Sequence, residues 1–300
     1  MEYVNPFRLE GQWFKANLHT HTNTSDGELS PAEQIERYVT AGYDILALTD
    51  HHGTNNIAPL VRNDIMVVSG MEYHPLCPGN PIEYHLVALN VPHGFTLTDK
   101  TDAAACVREV RAAGGESILA HPFWNGLTLE QMLRVRDVVA VEVYNSSCDY
   151  TGRAVAENEW SQCLAQKWHL PCVASDDSHW RTLPDFFMGW TWLKMPELTV
   201  PALLNALRSG ACYASTGPEI RDFRIENGMV RLQTSPAAAV HFMCGPGGGQ
   251  GCRILPADGE SITSAEIPVP KWPFVRAVVT DARGKRAWSN PIFPENEARA

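Results

Sequence analysis

From residue 12 to about residue 215, short runs rich in Val, Ile and Leu alternate with segments of helical period, and most of the metal-capable histidines and carboxylates there fall where strand-like runs end. WFKANLH, DILALTD, IMVVSG, EYHLVALNV, SILAHP, VVAVEVYN, PCVASDD and FMGWTWL read as strands. Helices are predicted over SPAEQIERYVTAGY, near 103–113, from Thr128, near 152–168 and after Thr199. In the first of these, Ser30 is the N-cap, Pro31 opens the helix and Glu33 completes a capping box, while Ile35, Tyr38 and Val39 share a face. This alternation predicts βα units around a parallel sheet, where function gathers at the C-terminal ends of the strands.

After residue 216 the period changes. DFRIENGMVRLQT, AVHFMCG, AEIPVP and FVRAVVTDARGKRAWS alternate at strand spacing, with Asn-Gly and Arg-Gly turn signals among them. Residues 217–300 are therefore expected to form a small all-β sandwich after a larger α/β unit over 1–216. The stretch CGPGGGQG lacks a Gly-Lys-Ser/Thr ending and a following helix, so it reads as a hairpin loop rather than a phosphate loop.

A formal net charge of -10 argues against broad nucleic-acid or anionic-membrane binding, both of which need a basic patch. The opening MEYVNPFRLEGQW has no signal-peptide character, and no apolar run nears the ~18 residues of a membrane span. Eight scattered cysteines without a C-x-x-C pair read as reduced thiols. The expectation is a cytoplasmic protein acting on a small-molecule substrate, with its oligomeric state left open.

With 11 histidines in 300 residues, chance supplies roughly 0.4 His-x-His pairs, so NLHTH alone says little. Its weight comes from the other strand ends: Asp50, His51 and His52 in TDHH, Glu72 in SGME, His121 in AHP, and Asp177 and His179 in SDDSH. Residues i and i+2 of a strand project to one side about 6 to 7 Å apart. His19 and His21 can then hold one cation, Asp177 pairs with His179, and Asp176 faces the other way.

In this order NLHTHTNTSDG, LALTDHH, GME, LAHP and ASDDSH resemble the motifs of the PHP (polymerase and histidinol phosphatase) superfamily, across nearly all of residues 12–215. The resemblance implies a distorted (β/α)7 TIM-like barrel, an α/β fold, followed here by the small all-β sandwich. It also implies two to three divalent metal ions on His19, His21, Asp26, His51, Glu72, His85, His121, Asp177 and His179, with Glu72 and Asp177 bridging. Asn17 stands where the commoner opening has Asp. The tail FVRAVVTDARGKRAWSNPIF and the β-module further resemble the branch that includes carbaryl hydrolases. The amidohydrolase superfamily shares the His-x-His, but its bridging lysine has no counterpart at a suitable strand end.

Six imidazoles and three carboxylates suit Zn, Mn or Fe. Three such ions, set against three carboxylates and a bridging hydroxide, leave the site at about +2, which draws in anions. Metal-activated hydroxide between the ions of Glu72 and Asp177, with a third ion on Asp26, His51 and His179, makes phosphoester hydrolysis the natural reading. His52 is the expected proton donor, and Arg181, Trp124, Asn145 and Trp180 the expected substrate contacts. The shortage of basic residues keeps carbamate or carboxylic ester hydrolysis as an alternative. A non-catalytic, metal-stabilised scaffold with a partner-binding β-domain is the third reading.

Overall fold

The computed structural model describes residues 4–294 except 182, 183, 246 and 248; the last two lie in the glycine-rich stretch. The first part runs β1 (Gln12–Asn17), α1 (Pro31–Thr40), β2 (Ile45–Leu48), β3 (Met66–Tyr73), β4 (Leu86–Leu89), α2 (Ala103–Ala112) and β5 (Glu116–Leu119). It continues through α3 (Pro122–Asn125), α4 (Leu129–Arg134), β6 (Ala140–Asn145), α5 (Glu157–Ala165), β7 (Cys172–Ser175), β8 (Trp190–Met195), α6 (Val200–Ser209) and β9 (Cys212–Ser215). Ser30 and Glu33 form the expected capping box on α1, whose Ile35 and Tyr38 are buried, each contributing about 1.5–3 kcal/mol of apolar burial.

The fold is mixed α/β with a large, parallel-rich sheet. Strands β1 to β7 lie side by side in sequence order, parallel within β1–β3 and within β5–β7. β4 departs from the expected βα repeat: segment 74–85 contains no helix to carry a crossover, so β4 returns antiparallel to β3 and pairs antiparallel with β5. Beyond their last strand residues β1 and β7 meet again. Thr20 bridges Ser178 in parallel, His21 N donates to Ser178 O at 2.9 Å, and Asp177 N donates to His19 O at 2.8 Å. The two ends of the seven-strand run are thereby joined where the metal-capable residues sit.

The C-terminal part comprises β10 (Ile220–Glu226), β11 (Met229–Ala237), β12 (Ala239–Cys244), β13 (Gly251–Ile254), β14 (Ile262–Pro268), β15 (Val275–Thr280) and β16 (Arg286–Ser289). β16 pairs with β9, so the large sheet continues unbroken through β15, β12 and β13, while β10, β11 and β14 form a three-stranded sheet. One apolar cluster, including Phe223, Val230, Phe242, Val275 and Val279, joins strands of both sheets. Asn290 ties this part to the first: its Oδ1 accepts from Cys172 N at 2.8 Å and its Nδ2 donates to Cys212 O at 2.9 Å. All eight cysteines are free, and only Cys252 is exposed. No helix among the described residues is long and apolar enough to cross a membrane.

Asp176 holds the approach to β8. Fully buried, it accepts from Tyr38 Oη (2.8 Å) and from the backbone N–H groups of Phe187 (2.7 Å), Met188 (2.8 Å) and Gly189 (2.9 Å). Asp176→Ala is expected to destabilise the protein by about 3 kcal/mol, because it strands buried donors. A urea midpoint equal to that of the wild type would contradict this role.

Candidate metal centre

His19 and His21 follow β1 on one side, both fully buried, while Thr20 between them turns away to donate to Ala47 O at 2.7 Å. Their Nε2 atoms lie 3.2 Å apart. Glu72, at the end of β3, brings Oε2 to 3.2 Å from each of them, and Asp177, after β7, brings Oδ1 to 3.2 and 2.9 Å. A tetrahedral ion with ligand bonds of about 2.0–2.1 Å separates its donors by about 3.3 Å, so these four atoms match the cage of a single divalent cation.

Two further clusters share these residues. Glu72 Oε1 lies 2.6 Å from His85 Nδ1 and 3.5 Å from His121 Nε2, which is also 3.8 Å from Asp177 Oδ2. Asp26 Oδ1 lies 3.7 Å from His21 Nδ1, 3.6 Å from His51 Nε2 and 3.5 Å from His179 Nε2. All nine residues named from the sequence thus converge, with the Glu72 oxygens facing two clusters. His21 Nδ1, His51 Nδ1 and Asp177 Oδ1 are buried without a hydrogen-bond partner among the described residues, a condition that folded proteins avoid unless a cation or water completes the site. The donor set therefore fits divalent metal ions.

A second layer of polar groups orients these side chains. Glu142 Oε1 pairs with His19 Nδ1 at 2.9 Å, its Oε2 accepts from His121 N at 3.0 Å, and Asn125 Oδ1 pairs with His121 Nδ1 at 2.8 Å. Asp185 accepts from His179 N at 2.7 Å. Asp50, which the motif TDHH placed at a strand end, instead accepts from Thr22, Ser25 and Asn55 and so organises the loop carrying Asp26. Gly27 behind Asp26 has no room for a side chain, since a Cβ would stand 2.5 Å from His21 O. Asn17 is buried; its amide donates to Tyr38 Oη and Gly189 O at 3.4 Å and its Oδ1 accepts from Asp176 N at 3.3 Å. An aspartate could not make those two donations.

Glu142 and His74 escaped the sequence reading, although both carried a signal. Glu142 is the single charged residue in the apolar run VVAVEVYN, and His74 stands two positions after Glu72, the same spacing that links His19 with His21. Backbone strain also marks the site: His52 (φ 58°), His121 (25°), Asp177 (55°) and Trp180 (60°) occupy the left-handed region.

A cavity of about 590 Å³ opens over the cluster, lined by His51, Glu72, His85, His121, Asp177 and His179 together with Trp124, Tyr150, Arg181 and others. Trp124 packs edge-on against His85 and His121, both at 5.4 Å. Arg181 Nη2 donates to Asp26 Oδ2 at 2.7 Å and to Asp26 O at 2.6 Å. The remaining expected contacts lie outside the lining. Asn145 sits beneath the carboxylates, donating to Glu142 Oε2 (2.9 Å) and Asp177 Oδ2 (3.2 Å). Trp180 stacks on Phe186 at 3.9 Å. His52 Nδ1 lies 3.1 Å from Lys100 Nζ.

Burial opposes charge on His19, His21 and His121, yet the Asp177 and Glu72 carboxylates outweigh it and raise all three. His179 is likewise raised to about 10 against its burial, by hydrogen bonds to Asp185 and Asp26. Burial pushes His51 down to about 4 and lowers His85. The imidazoles hold Glu72 and Asp177 below the ordinary carboxylate range despite their burial. Without metal, protons on the histidines balance the carboxylates; a bound cation would take over that charge.

No family model matches the chain. An uncharacterised protein of Methanocaldococcus jannaschii is 26% identical over 186 residues, 54% of this chain and 80% of that one. A 5'-3' exoribonuclease of Haemophilus influenzae is 35% identical over 103 residues, but the match covers 33% of this chain and 37% of the relative. A 3',5'-nucleoside bisphosphate phosphatase of Chromobacterium violaceum is 40% identical over 60 residues, 19% of this chain and 21% of the relative. The match thus spans well under half of each of these two enzymes. A solved Bacteroides vulgatus structure, described as a two-domain protein containing a predicted PHP-like metal-dependent phosphoesterase, matches with a TM-score of 0.56 at 16% identity, over 90% of this chain and 91% of that one.

The chain thus shares its α/β fold with that two-domain structure, and histidines and carboxylates that could hold a metal gather at its strand ends.

Two predictions follow from this geometry. Glu142→Gln is expected to weaken metal binding about 10- to 100-fold, measurable by competition with a chelating dye, because His19 loses the carboxylate that orients it. The raised histidines contribute stability that is complete below their unfolded value of 6.5 and is lost as pH climbs through their folded values, about 10 for His179. In chelator the melting temperature should therefore fall between pH 7 and 10, and added Zn²⁺ or Mn²⁺ should flatten the decline. A chelated protein with a level profile over that range would contradict the assignment.

Proposed function

We propose that the chain is a metal-dependent phosphoesterase acting on a small-molecule or nucleotide-like phosphoester. The observation that carries this reading is the Glu72 carboxylate, buried under the cavity with one oxygen facing His19 and His21 and the other facing His85 and His121. Two or three ions would be held by His19, His21, Glu72 and Asp177; by Glu72, His85 and His121; and by Asp26, His51 and His179, with His21 beside them. Divalent ions bound there would supply Lewis-acid activation of water and neutralise phosphoryl charge. The names of the exoribonuclease and bisphosphate phosphatase relatives support phosphoester chemistry.

The chain's own residues divide the remaining work. Glu72 and Asp177 keep their oxygens free of protons for the ions, and Asn145 holds Asp177 Oδ2 in place. Arg181, the only Lys or Arg among the lining residues, is the proposed phosphate contact, and Trp124 offers an aromatic wall for a base or aryl group. His52, whose Nδ1 faces the Lys100 ammonium, keeps its ring proton on Nε2 and is the proposed proton donor at the rim. Trp180 would act on substrate only indirectly, through the Phe186 segment.

At the level of architecture, we read β1–β7 as a distorted (β/α)7 barrel over 1–216 and the rest as a sandwich-like domain over 217–300. The ring contact between Thr20 and Ser178 supports the first part, and the apolar cluster between the two C-terminal sheets the second.

The single lining cation also favours a second reading, hydrolysis of an uncharged carbamate or carboxylic ester, as in the carbaryl-hydrolase branch. Aryl phosphates, aryl esters and aryl carbamates assayed with Zn²⁺- or Mn²⁺-reconstituted protein separate the two. For a phosphoesterase, Arg181→Ala should lower kcat/KM for the aryl phosphate about tenfold or more, and by more than it lowers that for the aryl ester, since it also frees Asp26. Turnover confined to uncharged esters would sink the phosphoester reading, and no turnover with any metal would favour a scaffold.

A further inference from the structure

We propose that His74 is an additional metal ligand, a tenth protein ligand beside the nine expected from the motifs, acting from the Oε1 side of Glu72. The inference rests on the metal-binding reading of the site and extends it to a residue outside the motifs.

His74 follows β3 two positions after Glu72, so the strand period returns its side chain to the same side. The side chain is 13% exposed, and Nε2 points to within 3.5 Å of Glu72 Oε1. That distance is the outer limit of a hydrogen bond, and Nε2 has no hydrogen-bond partner among the described residues although it is buried. A buried ring nitrogen is ordinarily satisfied, so its vacancy beside a carboxylate oxygen calls for a cation. Donor atoms of His51, Glu72 and His74 lie within 4.8 Å of one another.

The packing around it points the same way. His74 stacks on His85 with ring centroids 3.8 Å apart and an interplanar angle of 21°, and meets His52 at 4.5 Å and His51 at 4.9 Å. Four imidazoles packed this closely repel one another when protonated. When neutral, they need donors or a shared cation for their buried nitrogens. The stack on His85 also fixes the direction of the His74 ring, which is the preorganisation that a ligand requires. With only nitrogen and oxygen donors present, Zn, Mn or Fe is the class of ion that suits it.

The test uses the full chain, stripped with chelator and reloaded with Zn²⁺ or Mn²⁺, comparing wild type with His74→Gln and His74→Ala by elemental analysis and chelator competition. Each variant should lose one metal equivalent, or bind its most weakly held ion about tenfold or more weakly. Variants with wild-type content and affinity would overturn the role of His74 while leaving the metal centre intact; a wild type that takes up no metal would overturn the parent reading. Should the variants fail to fold, as judged by circular dichroism, ¹¹³Cd-loaded wild type labelled with ¹⁵N-histidine decides the matter. Nitrogen–cadmium coupling at seven histidines (19, 21, 51, 74, 85, 121 and 179) supports the proposal, and coupling at six without His74 refutes it.

Discussion

The structure depends on one buried carboxylate. Glu72 is 1% exposed, and a carboxylate taken so far from water costs several kcal/mol unless opposite charge and hydrogen bonds repay it. Here the partners are imidazoles from the segments just after β1 and β2, from just before β4 and from the turn after β5, each arriving from a different part of the chain. Displacing any one of those segments would remove part of the charge that compensates Glu72. Site and fold are thus coupled: the group that gathers the imidazoles is also the group that makes a disordered site expensive.

Closure of the seven-strand run serves the same end. The hydrogen bonds from Asp177 N to His19 O and from His21 N to Ser178 O are backbone contacts, yet they bring Asp177 Oδ1 to 2.9 Å from His21 Nε2. Behind them Asn17, Tyr38 and Asp176 form a buried polar layer that fixes β1 against β7 and the 187–189 segment. The strained backbone of Asp177 and His121 persists because both sides of each residue are held by such contacts.

Much of this was legible because it is local. The capping box at Ser30 involves residues three apart, and the i, i+2 spacing of His19 and His21 follows from strand geometry. Less was legible where identity misled. Asp50 has the right residue type at the right strand end, but its oxygens are claimed by Thr22, Ser25 and Asn55. Trp180 follows a ligand in sequence, yet finds its partner in Phe186. Glu142 was hidden because a charge in an apolar strand reveals its purpose only when the neighbouring strands are in place. Turn signals among the C-terminal strands say nothing about which free edge a strand will join; that edge is β9.

The sequence by itself determined the strand and helix alternation, the caps, and the stock of imidazole and carboxylate donors at the strand ends. These follow from side-chain period and residue chemistry over a few positions. Only the tertiary structure decided that Glu72 faces two clusters at once, that β4 runs antiparallel, that Glu142 steadies His19, and that His74 Nε2 sits beside Glu72 without a hydrogen-bond partner among the described residues. Those outcomes depend on angstrom-scale meetings between residues far apart in the chain, which spacing along the sequence does not encode.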